Sequence, residues 1–119
     1  MTTQEIANRL VELCKQGQFE TAQKELFAND IVSIEPFASP AFEKETHGLD
    51  AIFEKGHKFN SMVEEMHSMD ITEPMVVANA FSLVMSMDAT MKERGRSKMS
   101  ELCIYKVKEG KIISEEFIM

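Results

Sequence analysis

Little in this chain can coordinate a metal, form a disulfide or grip a phosphate. There are two cysteines, Cys14 and Cys103. They lie far apart and match neither a CxxC pair nor a zinc spacing. Two buried thiols in a reduced, intracellular protein are the expectation. The three histidines, His47, His57 and His67, recur at ten-residue steps, which is not a helical face, and form no HxxxH or HExxH pattern. No metal site is expected from them. Basic residues are in deficit, 13 Lys and Arg against 20 Asp and Glu, for a net charge of −7. Nucleic acid and anionic membrane surfaces select the opposite balance, so neither is an expected partner. The densest basic stretch, Lys92 to Lys98, also holds Glu93 and Gly95 and reads as a solvated hairpin turn.

No apolar run approaches the ~20 residues of a membrane helix. Met1 to Glu5 shows no basic segment leading into an apolar one, so no signal peptide is read and a cytoplasmic location is expected. No Ser-His-Asp arrangement, phosphate loop or dinucleotide fingerprint is present, and no cofactor is expected.

What is present is ordinary globular composition, with 44% hydrophobic and 28% charged residues, which excludes disorder and collagen-like repeats. The 119 residues fit one domain, 1–119, large enough to bury a core without disulfides. Ten methionines are many for this length and suit either core filling or an adaptable binding surface.

Ile6, Leu10, Leu13 and Cys14 recur at helical spacing, predicting a helix over 3–16 that starts in a Thr2/Glu5 capping box and stops at Gly17. A short helix over 19–27 presents Phe19, Ala22, Leu26 and Phe27. Residues 31–35 alternate as a strand that Pro36 stops. The loop from there to about His47 is long for a simple connection and reads as a lid or pocket rim. A third helix over 48–66 carries Ile52, Phe53, Phe59, Val63 and Met66 as an apolar stripe. Gly56 inside it is tolerable if a sheet or ligand approaches the backbone closely.

Beyond this helix the period becomes two. A weak strand covers 68–72. A seventeen-residue pattern over 76–92 exceeds usual strand length and should bend at a bulge. Strands over 97–108 and 112–119 follow, with a turn at Lys108 to Lys111 between them. Helices first and an antiparallel meander last predict an α+β fold with a strongly curved sheet. One sheet face carries Met99, Cys103, Tyr105 and Val107, the other Leu102 and Ile104. If helices cover one face, the other is either a modest exposed patch or a dimer interface, and a homodimer through the outer face is the expectation.

Alternation places Glu101 among the apolar side chains of the first face, where a carboxylate is rare unless paired. Facing outward instead, it would be a surface or interface charge. Glu35 shares a face with Ile31 and Ser33. Turned inward, burial would raise its pKa toward values useful for proton transfer; at a rim it would be solvated or paired with Lys44 or Lys58. If Glu35 and Glu101 converge, one is held protonated by the other's charge, giving an acid and a base. One of Glu115 and Glu116 must also face inward. His57 stands one turn after Phe53 at the edge of the helical stripe, either reaching the pocket as a proton carrier or solvated on the flank. Tyr105, the only tyrosine, can donate its hydroxyl to a ligand or serve as core packing.

Several strings in this order resemble the SnoaL-like branch of the NTF2-like superfamily: Leu26 to Asp30, Ile34-Glu35-Pro36, His47 to Ile52, and Tyr105 to Ile112. The resemblance covers nearly the whole chain. It implies a cone-shaped barrel, three helices on a curved sheet around an internal cavity, and a family holding ketosteroid isomerase, polyketide cyclases, dehydratases and non-catalytic binding domains. Glu35, directly before Pro36, is similar in place to the proton-shuttling base of the isomerase. The isomerase's oxyanion tyrosine falls near Leu10 and its protonated aspartate near Leu102 or Cys103, so that oxyanion hole is missing. The resemblance therefore implies binding of a small hydrophobic ligand in the cavity, or a cofactor-independent isomerase, cyclase or dehydratase with Glu35 as general base and His57 and Glu101 as companions. The cavity wall is expected from Phe53, Met85, Met87, Cys103, Tyr105 and Phe117.

Overall fold

The computed structural model describes residues 1–119. Helix α1 (Thr3–Lys15) begins as its capping box requires: the Thr2 hydroxyl accepts from the Glu5 N–H at 3.1 Å, and the Thr2 N–H donates back to Glu5 Oε1 at 2.8 Å. Helix α2 (Phe19–Leu26) passes directly into strand β1 (Phe27–Ile34). The loop after β1 contains a three-residue strand, β2 (Glu45–His47), paired antiparallel with Val32 to Ile34. Helix α3 (Leu49–Met62) follows Gly48, whose φ of +92° lets the chain turn while its N–H donates to the Ile31 carbonyl at 2.8 Å.

The sheet continues with β3 (Val63–Ile71), β4 (Met75–Val77), β5 (Ala80–Met91), β6 (Gly95–Lys108) and β7 (Lys111–Ile118). Strand order is β2-β1-β7-β6-β5-β3, with β4 paired on β5. The meander from β5 to β7 is antiparallel, but β1 lies parallel to β7, so the sheet is mixed. It does not close: β2 and β3 stand at opposite edges.

Several boundaries differ from the periodicity reading, two of them in what they imply for the fold. Helix α3 stops at Met62 rather than 66, because 63–66 extend to pair with Ala89 to Met91. A β-branched Val63 and this pairing outweigh the helical repeat. The long 76–92 pattern is a hairpin, not one bulged strand: Ala78, at a φ of +51°, turns β4 back onto β5. Ala-Asn lacks the usual hairpin signature, so the pattern hides this turn. The bulges lie elsewhere, within β3, within β1 where it meets β7, and between Lys106 and Val107.

The core fills the space between helices and the inner sheet face. Ile6, Leu10, Leu13 and Cys14 of α1, Leu26 of α2 and Ile52 of α3 are buried with Ile31, Leu83, Cys103, Val107 and Ile112. Phe81 and Tyr105, cross-strand partners, stack with centroids 4.8 Å apart. No helix is long and apolar enough to cross a membrane.

Candidate functional site

Strand pairing sets which side chains meet. Ser33 of β1 stands level with Glu115 of β7, and Glu115 level with Tyr105 of β6. Two residues along, Phe117 pairs with Cys103, which pairs in turn with Leu83. Glu101 is level with Met85, and Met99 with Met87, which pairs in turn with Met69. Alternation places all of these on the inner face. Toward one end the face is closed by core, with Cys103, Tyr105 and Glu115 buried. Toward the other, Met85, Met87, Met99, Glu101 and Phe117 are half-buried, so solvent reaches them.

Over this face α3 extends Lys55. Its ammonium lies 2.5 Å from Glu35 Oε1 and donates to Ser33 Oγ at 3.1 Å, and the Ser33 hydroxyl donates to Glu115 Oε1 at 2.8 Å. Lys55 and Glu35 are largely sheltered, their side chains 18% and 22% exposed. The Phe117 ring centroid is 5.4 Å from the same ammonium, within cation–π range. A chain of polar contacts therefore runs Glu35–Lys55–Ser33–Glu115 from the end of β1 to the interior.

The carboxyls differ in their environment. Burial, then the charges of Glu35 and Glu115, push Glu101 up to about 7 against the pull of Lys55. Burial likewise pushes Glu115 up to about 7, opposed by the Ser33 hydrogen bond and the Lys55 charge. Both carboxyls are thus balanced between acid and base at neutral pH. The thiols are not. Burial and the Glu115 charge raise Cys14 to about 12, and burial with the Glu101 and Glu115 charges raises Cys103 further, so neither is a thiolate at neutral pH. Tyr105 is raised well above the ordinary phenol value by burial first, and packs as core.

Of the residues singled out from sequence, Glu35, Glu101 and Phe117 come together around Lys55, with Met85 and Met87 beside Glu101. Cys103 and Tyr105 sit beneath them in the core. His57 stands apart: its side chain is 66% exposed and pairs with Glu20 Oε1 of α2 at 3.0 Å. Phe53 also turns toward α2, its ring 5.6 Å from the Lys24 ammonium. Both are on the α2 side of α3, which a position one turn from an apolar stripe does not reveal. Glu115, not Glu116, is the inward carboxylate.

Lys55 was not anticipated, since a lysine between Glu54 and Gly56 reads as solvated flank; Glu35 pairs with it rather than with Lys44 or Lys58. Lys58 instead bonds the Ala41 carbonyl and lies over the Phe42 ring, tying the 36–44 loop to α3. Gly56 meets no close neighbour, because a Cβ there would find nothing within 4 Å. Two hollows open on the surface. One of about 500 Å³ lies at the start of α3 beside Asn29 and His47, and one of about 280 Å³ lies under the 36–44 loop, with Phe42, Lys55 and Lys58 in its wall. No group of His, Cys, Asp and Glu side chains has the arrangement to hold a metal.

The chain belongs to the SnoaL-like domain family, whose model matches residues 1–119. A Mesorhizobium loti protein, provisionally described as a SnoaL-like polyketide cyclase, is 35% identical over the full length of both chains, with a TM-score of 0.92. A Xanthomonas campestris protein of unknown function with a cystatin-like fold has a TM-score of 0.83 at 13% identity, covering 99% of this chain and 90% of the other. IdmH of Streptomyces antibioticus, provisionally described as a polyketide cyclase, has a TM-score of 0.73 at 15% identity over 99% and 91%. The last two share the fold. No curated protein matches the chain.

Proposed function

We propose that the half-buried inner face holds a small, largely apolar molecule and that the chain moves a proton on it without a cofactor, as an isomerase, cyclase or dehydratase does. The observation that carries this reading is Glu101. Its carboxyl stands level with Met85, two residues from Met99, in the field of Glu35 and Lys55, with a pKa of about 7. A wall meant only for packing gains nothing from a carboxyl there, whereas general acid–base work needs one near neutrality. Glu35 is the second proton-handling group, and its contact with Lys55 links it to Ser33 and Glu115.

Deuterium exchange tests this directly. Small C–H acids such as cyclic ketones and β-diketones are incubated with the protein in D₂O and followed by proton NMR. Exchange accelerated by the protein, and lost in Glu101→Gln while binding persists, supports the reading. Binding without any accelerated exchange overturns it.

One observation favours a second reading, a binding domain without turnover. Glu35 is committed to an ion pair with Lys55, so its carboxylate already has a partner within the protein. Under that reading lipophilic compounds raise the melting temperature equally in the wild type and in Glu35→Gln.

The outer face bears exposed Val84, Leu102 and Ile118. We propose a second copy of this chain as its partner.

A further inference from the structure

We infer that Lys55 anchors an oxyanion on the ligand, so that the inner face takes an amphipathic organic monoanion, and that docking this anion draws a proton from solvent into the site. The inference rests on the proposed inner-face site and names the ligand's chemistry. An ammonium has three N–H donors. Ser33 accepts from Lys55, Glu35 forms an ion pair with it, and no other side chain of the protein hydrogen-bonds it, so a donor is left over. The ammonium is held in place by those two contacts and by the Phe117 ring below. It is also the one cation whose charge acts on both Glu101 and Glu115. Lys55 also lines the hollow under the 36–44 loop.

The groups facing this point fix the proton balance. Glu35 comes from the residue just after β1, Glu101 with Cys103 and Tyr105 from β6, Glu115 from β7, and Cys14 from α1. The thiols and the phenol stay neutral throughout the physiological range. Glu35 already compensates Lys55. An arriving anion therefore adds uncompensated negative charge beside Glu101 and Glu115, and like charge favours protonation of whichever carboxyl is still ionised. No covalent bond forms: one proton leaves water or buffer and joins a carboxylate oxygen.

The test uses 2-naphthoate as anionic probe and 2-naphthamide as its neutral counterpart, with full-length protein and calorimetry in buffers of different ionisation enthalpy. The expected result is naphthoate binding about tenfold tighter than naphthamide near pH 7, with about half a proton or more taken up per ligand. Lys55→Met removes the difference between the probes. Glu101→Gln reduces the uptake. Because Lys55→Met leaves Glu35 unpaired, the double variant Lys55→Met/Glu35→Gln serves as a folded control without either charge.

Equal affinity for the two probes, no proton uptake, or a preference that survives in both Lys55 variants overturns the inference. If naphthamide binds as well as naphthoate, the apolar site stands and only the anion anchor falls. If neither binds, the inference falls, and a Glu101 carbon-13 titration then decides the underlying reading: an ordinary carboxylate value sinks it, a near-neutral one leaves it standing.

Discussion

Ser33 and Glu115, 82 residues apart in sequence, share a hydrogen bond of 2.8 Å inside the sheet. Parallel pairing of β1 with β7 puts the two at the same level, and both are buried. The serine hydroxyl also accepts from Lys55, so it connects the ion pair at the end of β1 to the most sheltered carboxyl of the cluster. Ser33→Ala leaves Glu115 without its donor. We expect a loss of about 1–3 kcal/mol in urea denaturation near neutral pH, together with a further rise of the Glu115 pKa measurable by carbon-13 NMR. An unchanged Glu115 titration would mean the bond does not form in solution.

The pH dependence of stability follows from the same carboxyls. Glu101 and Glu115 rise from an ordinary 4.5 to about 7 in the folded chain. A carboxyl with a raised folded pKa holds its proton more tightly folded than unfolded, so the folded state binds more protons between those values. The stabilisation is complete below about pH 4.5, declines as pH climbs, and is gone above about pH 7. For the buried Glu115 the span is worth up to about 3 kcal/mol. The two carboxyls repel one another and titrate as a pair, so the sum is less than double. The carboxylates with lowered values, Glu5, Glu25 and Asp88, act below this window. Urea midpoints should fall from pH 5 to pH 8, and Glu115→Gln should flatten the fall. Equal midpoints at the two pH values would contradict the placement of Glu115.

Gly56 offers a substitution that should help. It lies inside α3, and a Cβ at this position meets no atom within 4 Å. Helical glycine costs up to ~1 kcal/mol relative to alanine. Gly56→Ala should therefore raise the thermal midpoint by a few degrees, with ligand binding unchanged. A lower midpoint would indicate that the backbone there is crowded by something the chain itself does not supply.

The fold was legible where local rules act alone. The Thr2/Glu5 cap, the α1 stripe and the two faces of β6 follow from spacing, and the ordered strings from Leu26 to Ile112 pointed to the family. Alternation made Glu35 and Glu101 candidates for the inner face but left open whether that face of each strand turned inward; the pairing of β1, β6 and β7 decides it. Glu115 could not be told from Glu116, because the register shift between Lys106 and Val107 breaks the count from the β6–β7 turn. Lys55 was hidden for another reason. A helix position says which way a side chain leaves the axis but not which sheet residues wait there, and β1 joins β7 by parallel pairing that no hairpin signal announces. The same gap left His57 open between pocket and flank; it is on the flank, and its partner Glu20 lies on a different helix.

The outer face yields the last expectation. Val84 and Leu102 are cross-strand partners, and Ile118 pairs with Leu102, so three apolar side chains line up across β5, β6 and β7. They are 37%, 36% and 47% exposed. Such a row gives a second copy a continuous apolar strip to cover. In a two-fold dimer the same row meets itself, and each residue finds an apolar counterpart. Lysine at 102 and 118 would set like charges against one another across such an interface while leaving the inner core untouched. The wild type should therefore sediment as a dimer at micromolar concentration, and Leu102→Lys/Ile118→Lys as a folded monomer. A wild type that sediments as a monomer under the same conditions would remove the partner proposed for this face.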